Sequence, residues 1–102
     1  MYDMKNLSKL KTLEANAPDA IKAFWAFDKA AMASGAIPSK YKELMALAVA
    51  FTTQCPYCIE IHSKKAREAG ALEPEIAEVV AIAAALRAGA AITHGTPWHK
   101  HC

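Results

Sequence analysis

The chain is predicted to be all-α, a small bundle of about five helices, on three observations. Alanine, the best helix former, supplies 23 of the 102 residues. Apolar residues recur every three or four positions along most of the chain, and no stretch alternates with the period of two that a half-buried strand needs. Pro18, Pro38, Pro56 and Pro74 cut the chain into helix-sized pieces, and proline suits a helix only in its first turn.

The elements follow in order. Residues 3–14 carry Leu7, Leu10 and Leu13, one apolar helix face. Asn16-Ala17-Pro18-Asp19 opens a second helix, with proline near its first position and an acid in the first turn, where the helix dipole favours negative charge. That helix brings Ile21, Phe24, Trp25 and Phe27, the three aromatics being expected in the core, and stops at Ser34-Gly35. Pro38-Ser39 opens a third, running to about Thr53. Its second half, LMALAVAF, is apolar all round, so it is expected to be central and buried. A fourth starts near Cys55 with Pro56 in its first turn and ends at Gly70. Glu73-Pro74-Glu75 opens a fifth, ending between Gly89 and Gly95. Residues 96–102, TPWHKHC, have no periodicity and read as a tail.

Composition bounds what such a bundle does. A chain of 102 residues and 11.0 kDa is one domain, residues 1–102. Its hydrophobic fraction, 54%, excludes intrinsic disorder, and Gly 4 with Pro 5 excludes collagen-like sequence. So small a globule cannot cover that much apolar surface alone, and self-association is the expected outlet. The 12 Lys and Arg against 10 Asp and Glu are scattered, with no basic stripe and no stacking aromatics, which argues against nucleic acid. The start, MYDMKNLSKL, has no apolar core of an export signal. The longest unbroken apolar runs, residues 44–51 and 79–86, fall short of the roughly 20 residues a bilayer span needs. The expectation is a cytoplasmic protein without a membrane partner. Three cysteines, an odd number, then point to redox or metal chemistry rather than a disulfide framework.

One segment carries that chemistry: Gln54-Cys55-Pro56-Tyr57-Cys58-Ile59-Glu60-Ile61-His62. Residues four apart stack on one helix face, so the His62 imidazole is expected beside the Cys58 sulfur, where it takes the thiol proton or stabilises the thiolate. Cys55 and Cys58 are three apart at a helix start, close enough to form a disulfide. The free N–H groups and the positive dipole end there also favour a thiolate. Capping alone makes Cys55 the more acidic thiol; the histidine favours Cys58. Glu43 lies roughly 16–18 Å back along helix three and His62 about 10 Å along helix four. If the turn at Cys55-Pro56 folds these helices antiparallel, the two reach similar heights and the carboxylate orients the imidazole.

Other readings of the same residues exist. Cys55 and Cys58 also suit a pair of buried small hydrophobes. A zinc site wants four ligands, and Cys55, Cys58 and His62 supply three. His94 is placed to approach a neighbouring subunit's site. His99, His101 and Cys102 form a short metal-capable tail.

The pattern Glu43-x(11)-Cys55-x-x-Cys58-x-x-x-His62 resembles that of the carboxymuconolactone decarboxylase superfamily, in its alkylhydroperoxidase D-like branch, over residues 38–95. The resemblance implies a small helical bundle assembled as a homotrimer or homohexamer. It implies Cys58 as the peroxidatic cysteine, Cys55 as the resolving one, and His62 with Glu43 as a proton relay. The family's peroxidase has a histidine between its cysteines where this chain has Tyr57. The implied activity is a thiol-dependent hydroperoxidase or disulfide reductase with a hydroperoxide substrate. No G-x-G-x-x-G and no P-loop is present, so no cofactor is expected, and reducing equivalents come from a dithiol or a thioredoxin- or lipoyl-type protein. A decarboxylase of a lactone acid and a non-enzymatic redox sensor are the rivals.

Overall fold

Among the described residues five α-helices form, in the order the sequence predicts. The computed structural model describes residues 2–100, and side chains as far as Trp98. The helices are α1 (Leu10–Asn16), α2 (Pro18–Met32), α3 (Ser39–Thr53), α4 (Pro56–Glu68) and α5 (Glu73–Gly95), and no strand occurs among the described residues. Pro18, Pro56 and Pro74 each sit in a first turn, and Gly70, with φ +98°, ends α4 in a conformation that suits only glycine.

The core is α3 packed between α4 and α5. Leu47 is fully buried, with Ala66, Ala71 and Val79 around it and Leu44, Ala48, Phe51 and Ile76 packed against them. Small side chains let the helices approach closely. Polar ties fix the ends: the Lys42 ammonium donates to the Ala31 and Ala33 carbonyls at the end of α2, and Lys40 meets Glu75 at 2.9 Å. A cation is well placed at a helix C-terminus, where the unpaired carbonyls point.

Four expectations change. The first segment is not one helix but a 3-10 turn, Met4–Lys9, leading into α1. Of the three leucines only Leu7 lies in the 3-10 turn; Leu10 and Leu13 belong to α1. Phe24, Trp25 and Phe27 are not core: they are 51%, 38% and 70% exposed, and α2 buries no residue. Its main partner is the short α1, which leaves the aromatic face uncovered. In α3 only Glu43, Leu47 and Ala50 are buried, so the all-apolar half faces inward on one side alone. Finally, Glu73–Trp98 is long and apolar enough to cross a membrane, with mean hydropathy 1.7 over its best 18-residue window. The unbroken runs understate it because a helix continues through Arg87; that charge, far from either end, would cost about 2.5–3.5 kcal/mol at a bilayer centre. Residues Thr96–Lys100 of the tail form a 3-10 turn. Of the tail's metal-capable residues, the His99 side chain, His101 and Cys102 lie outside the described set.

Candidate active site

A tight reversal between α3 and α4 builds the site. Gln54 takes the left-handed conformation, φ 58°, which ends α3 and turns the chain back on itself. Such a conformation is uncommon outside glycine and is found where the surroundings enforce it. Cys55, extended, is the next residue and caps α4: its sulfur accepts the Cys58 N–H at 3.3 Å. Two residues of connection leave α3 and α4 antiparallel neighbours, which is what brings Glu43 to His62.

All four predicted site residues cluster. His62 Nδ1 and Glu43 Oε2 lie 2.6 Å apart, with side chains 20% and 12% exposed. The gap in height is closed by the reach of the two side chains. A carboxylate only accepts, so Nδ1 carries the proton and Nε2 holds the lone pair in the neutral ring. His62 is thereby set up as a proton acceptor, one turn along α4 from Cys58. The Cys55 and Cys58 sulfurs, both free thiols, are 2.6 Å apart and half-buried.

The two thiols differ in acidity. The hydrogen bond from Cys58, with backbone N–H groups at the helix start, lowers the Cys55 pKa. Cys58 is raised from 9.0 to about 11, first by burial, then by the hydrogen bond and charge of Cys55, with a smaller like-charge contribution from Asp28 of α2. The order agrees with the capping reading rather than with the histidine alone: the first proton of the pair leaves from Cys55. A thiol held near 11 is largely protonated at neutral pH, and His62 stands one helical turn further along α4.

Tyr2, Asn6, Glu60 and Asp28 have no motif that marks them, and the structure adds them around the site. The Tyr57 hydroxyl accepts from Asn6 Nδ2 at 2.9 Å and from the Asp3 N–H at 3.4 Å. Tyr2 packs edge-on to Tyr57, ring centres 5.0 Å apart, and donates to Glu60 Oε2 at 2.7 Å. The N-terminal segment is thus tied to the first turn of α4. On the α5 side of the reversal a cleft of about 300 Å³ opens beside Gln54, walled by Phe51, Val80 and Ala83 and including Arg87. His94, in the last turn of α5, is exposed. Among the described residues no group of three or more His, Cys, Asp or Glu is arranged to hold a metal ion.

Comparison with known proteins gives a consistent picture. Residues 18–100 match the carboxymuconolactone decarboxylase family. A protein of the cox locus of Paracoccus denitrificans, of uncharacterised function, is 50% identical over 72 residues, 71% of this chain and 65% of its own length. An uncharacterised protein of Cupriavidus necator is 38% identical over 65 residues, 64% of this chain and 58% of its own. The matches therefore span less than two thirds of these relatives. Among solved structures, an apo carboxymuconolactone decarboxylase family protein from Legionella pneumophila superposes with TM-score 0.75 at 30% identity, covering 80% of this chain and 73% of that one. A protein from Methanobacterium thermoautotrophicum gives 0.77 at 31% identity, covering 82% and 94%.

Proposed function

The chain belongs to the carboxymuconolactone decarboxylase family, and from its dithiol site we propose that it is a thiol-dependent hydroperoxidase. The observation that carries the reading is the Glu43–His62 pair, 2.6 Å apart, one turn beyond a reduced Cys55–Cys58 couple. A structural cysteine pair has no use for an oriented base.

In this reading His62 Nε2 takes the Cys58 proton while Glu43 stabilises the imidazolium. The Cys58 thiolate attacks one peroxide oxygen: the S–O bond forms, the O–O bond breaks, and the alkoxide leaves with the proton held by His62. Sulfur is oxidised by two electrons to a sulfenic acid, and the peroxide becomes an alcohol. Cys55 then attacks the Cys58 sulfur; the S–S bond forms, and hydroxide leaves as water with the proton Cys55 gave up. A dithiol or a thioredoxin- or lipoyl-type protein exchanges with the disulfide and is itself oxidised. The acidity order suits this division. A thiolate from a high-pKa thiol is the stronger nucleophile, and a low-pKa thiol the better leaving group.

The test is intact mass after hydrogen peroxide, followed by a dithiol chase. Loss of two hydrogens, restored by the chase, is expected. In Cys55→Ser, a dimedone-type probe is expected to label Cys58. Labelling of Cys55 in Cys58→Ser instead would reverse the two roles, as the lowered Cys55 pKa would favour. Lactone-acid turnover that survives alkylation of the thiols would replace the reading with a decarboxylase. Oxidation without turnover would leave a redox sensor.

A further inference from the structure

Residues 2–6 lie against the first turn of α4, and their contacts converge on the residue between the two cysteines. The Tyr57 hydroxyl accepts from Asn6 Nδ2 at 2.9 Å and from the Asp3 N–H at 3.4 Å. The Tyr57 ring meets the Tyr2 ring edge-on, and the Tyr2 hydroxyl reaches on to Glu60 at 2.7 Å. The segment is itself a closed turn: the Asp3 carboxylate accepts the Lys5 N–H at 2.9 Å, and the Asp3 carbonyl accepts the Asn6 N–H at 2.8 Å. A strap folded on itself loses less freedom on docking than an extended tail does, so it holds Tyr57 more firmly. It lies outside residues 18–100, which match the family, so the family pattern does not account for it.

What Tyr57 does for the dithiol lies in its backbone. Cys55 caps α4 and Pro56, in first position, has no N–H, so Tyr57 and Cys58 carry the first donors of the helix. Both favour a charged Cys55: its sulfur accepts the Cys58 N–H at 3.3 Å, and the Tyr57 N–H is a further cause of its lowered pKa. First-turn N–H groups have no partner inside their own helix, and helix ends fray. Here the turn that carries them is pinned from outside. We infer that Tyr57, held by the strap through Asn6, is a positioning residue of the dithiol: it keeps the N–H groups of residues 57 and 58 aimed at the Cys55 sulfur. The other ionisable groups around the pair are Cys58 and His62 of α4, Glu43 of α3 and Asp28 of α2, with Arg87 of α5 in the cleft beside Gln54. One consequence rests on the hydroperoxidase reading. When an external dithiol reduces the disulfide, its thiolate forms a new S–S bond to Cys58, the Cys55–Cys58 bond breaks, and the electron pair leaves on Cys55, faster the better that thiolate is held.

Thiol titration of the full chain tests the positioning and needs no peroxide, so its outcome is separate from that of the hydroperoxidase reading. Tyr57→Phe keeps a ring against Tyr2 and loses both hydrogen bonds to the strap; Asn6→Ala loses one of them. Neither changes a charge near the thiols, and Asp3 and Lys5 stay in place. With Cys102→Ser in every protein, thiolate absorbance is followed against pH. The first step is expected to rise by about half a unit in Tyr57→Phe and by less in Asn6→Ala, roughly a threefold loss of Cys55 thiolate below that step. The Tyr57 and Cys58 amide hydrogens are expected to exchange about threefold faster or more. Trp25→Phe loses the hydrogen bond to Glu14, which joins α1 to α2 away from the strap, and is expected to leave both readouts unchanged. Should one strap variant fail to fold, the other decides. A first step that stays in place in the folded strap variants, or one that Trp25→Phe moves as far, would overturn the inference. The oxidised Tyr57→Phe protein is expected to be reopened by dithiothreitol about two- to threefold more slowly; equal rates beside a raised first step would overturn the consequence for reduction and uphold the positioning.

Discussion

Replacing Cys55 by serine isolates what holds the Cys58 proton. Four causes raise that thiol from 9.0 to about 11: burial first, then the Cys55 hydrogen bond, then the Cys55 charge, and least the charge of Asp28. Serine cannot ionise here, so it removes the Cys55 charge and the thiolate that accepts from Cys58, its hydroxyl donating to the Cys58 sulfur instead, and it leaves the burial, since it barely changes the packing at the helix start. A neighbouring charge or hydrogen bond at this distance shifts a pKa by roughly 1–3 units, and burial is the larger part here, so a fall of about one unit is expected, to near 10. The sign is fixed: with less negative charge beside it, the Cys58 thiolate forms at lower pH. Absorbance at 240 nm against pH measures it, with Cys102→Ser in both proteins to remove the third thiol. The unmodified pair should titrate in two steps, the first below the ordinary cysteine value and the second near 11. The variant should show one step near 10, and its Cys58 should alkylate about tenfold faster at pH 8. A variant still titrating at 11 would show that the neighbouring sulfur is not a cause. A return to 9.0 would show that burial is not.

Glu43→Gln keeps size and a hydrogen-bond acceptor but removes the charge facing His62; peroxide consumption should fall about 10–100-fold with unchanged helix content, measured by initial rates and circular dichroism. Gln54→Gly relieves the left-handed backbone at φ 58° and should stabilise the chain by about 1 kcal/mol in urea unfolding; a loss of stability would mean the Gln54 side chain holds the turn. Leu47→Ala empties the one large side chain that is fully buried among the described residues and should cost about 2–5 kcal/mol in the same assay.

The sequence was informative where local signals act alone. Proline at the start of α2, α4 and α5 and just before α3, with glycine after α4, depends on backbone sterics, so those boundaries could be read directly, whereas α1 has no such mark. The Glu43–His62 contact was legible for a related reason: a two-residue connection between helices forces an antiparallel return, and rise per residue then matches positions across the pair. The acidity of the two thiols was legible only in part. Spacing alone gives capping at Cys55 and a histidine near Cys58, two opposed influences, and burial of Cys58 decides between them. Burial depends on how α2 to α5 pack, which no local signal states. The tie of Tyr2 and Asn6 to Tyr57 and Glu60 was illegible, since it joins segments more than fifty residues apart through polar contacts without a pattern.

The misplaced aromatics have a different origin. Placing Phe24, Trp25 and Phe27 in the core assumes that one chain buries its own apolar residues, and core and interface draw on the same residue types. A hydrophobic fraction of 54% in 102 residues gives more apolar surface than one small globule encloses. The fold resolves the surplus by spending alanine on close helix contacts inside and leaving Met45, Val49, Ile82 and Phe27 outside. In α3 both solutions share one helix: Glu43 and Leu47 face inward while Met45 and Val49, two residues on from each, face out. The alternation of inward and outward positions along α3 therefore sets the carboxylate that meets His62 and the exposed apolar side chains on opposite sides of one helix.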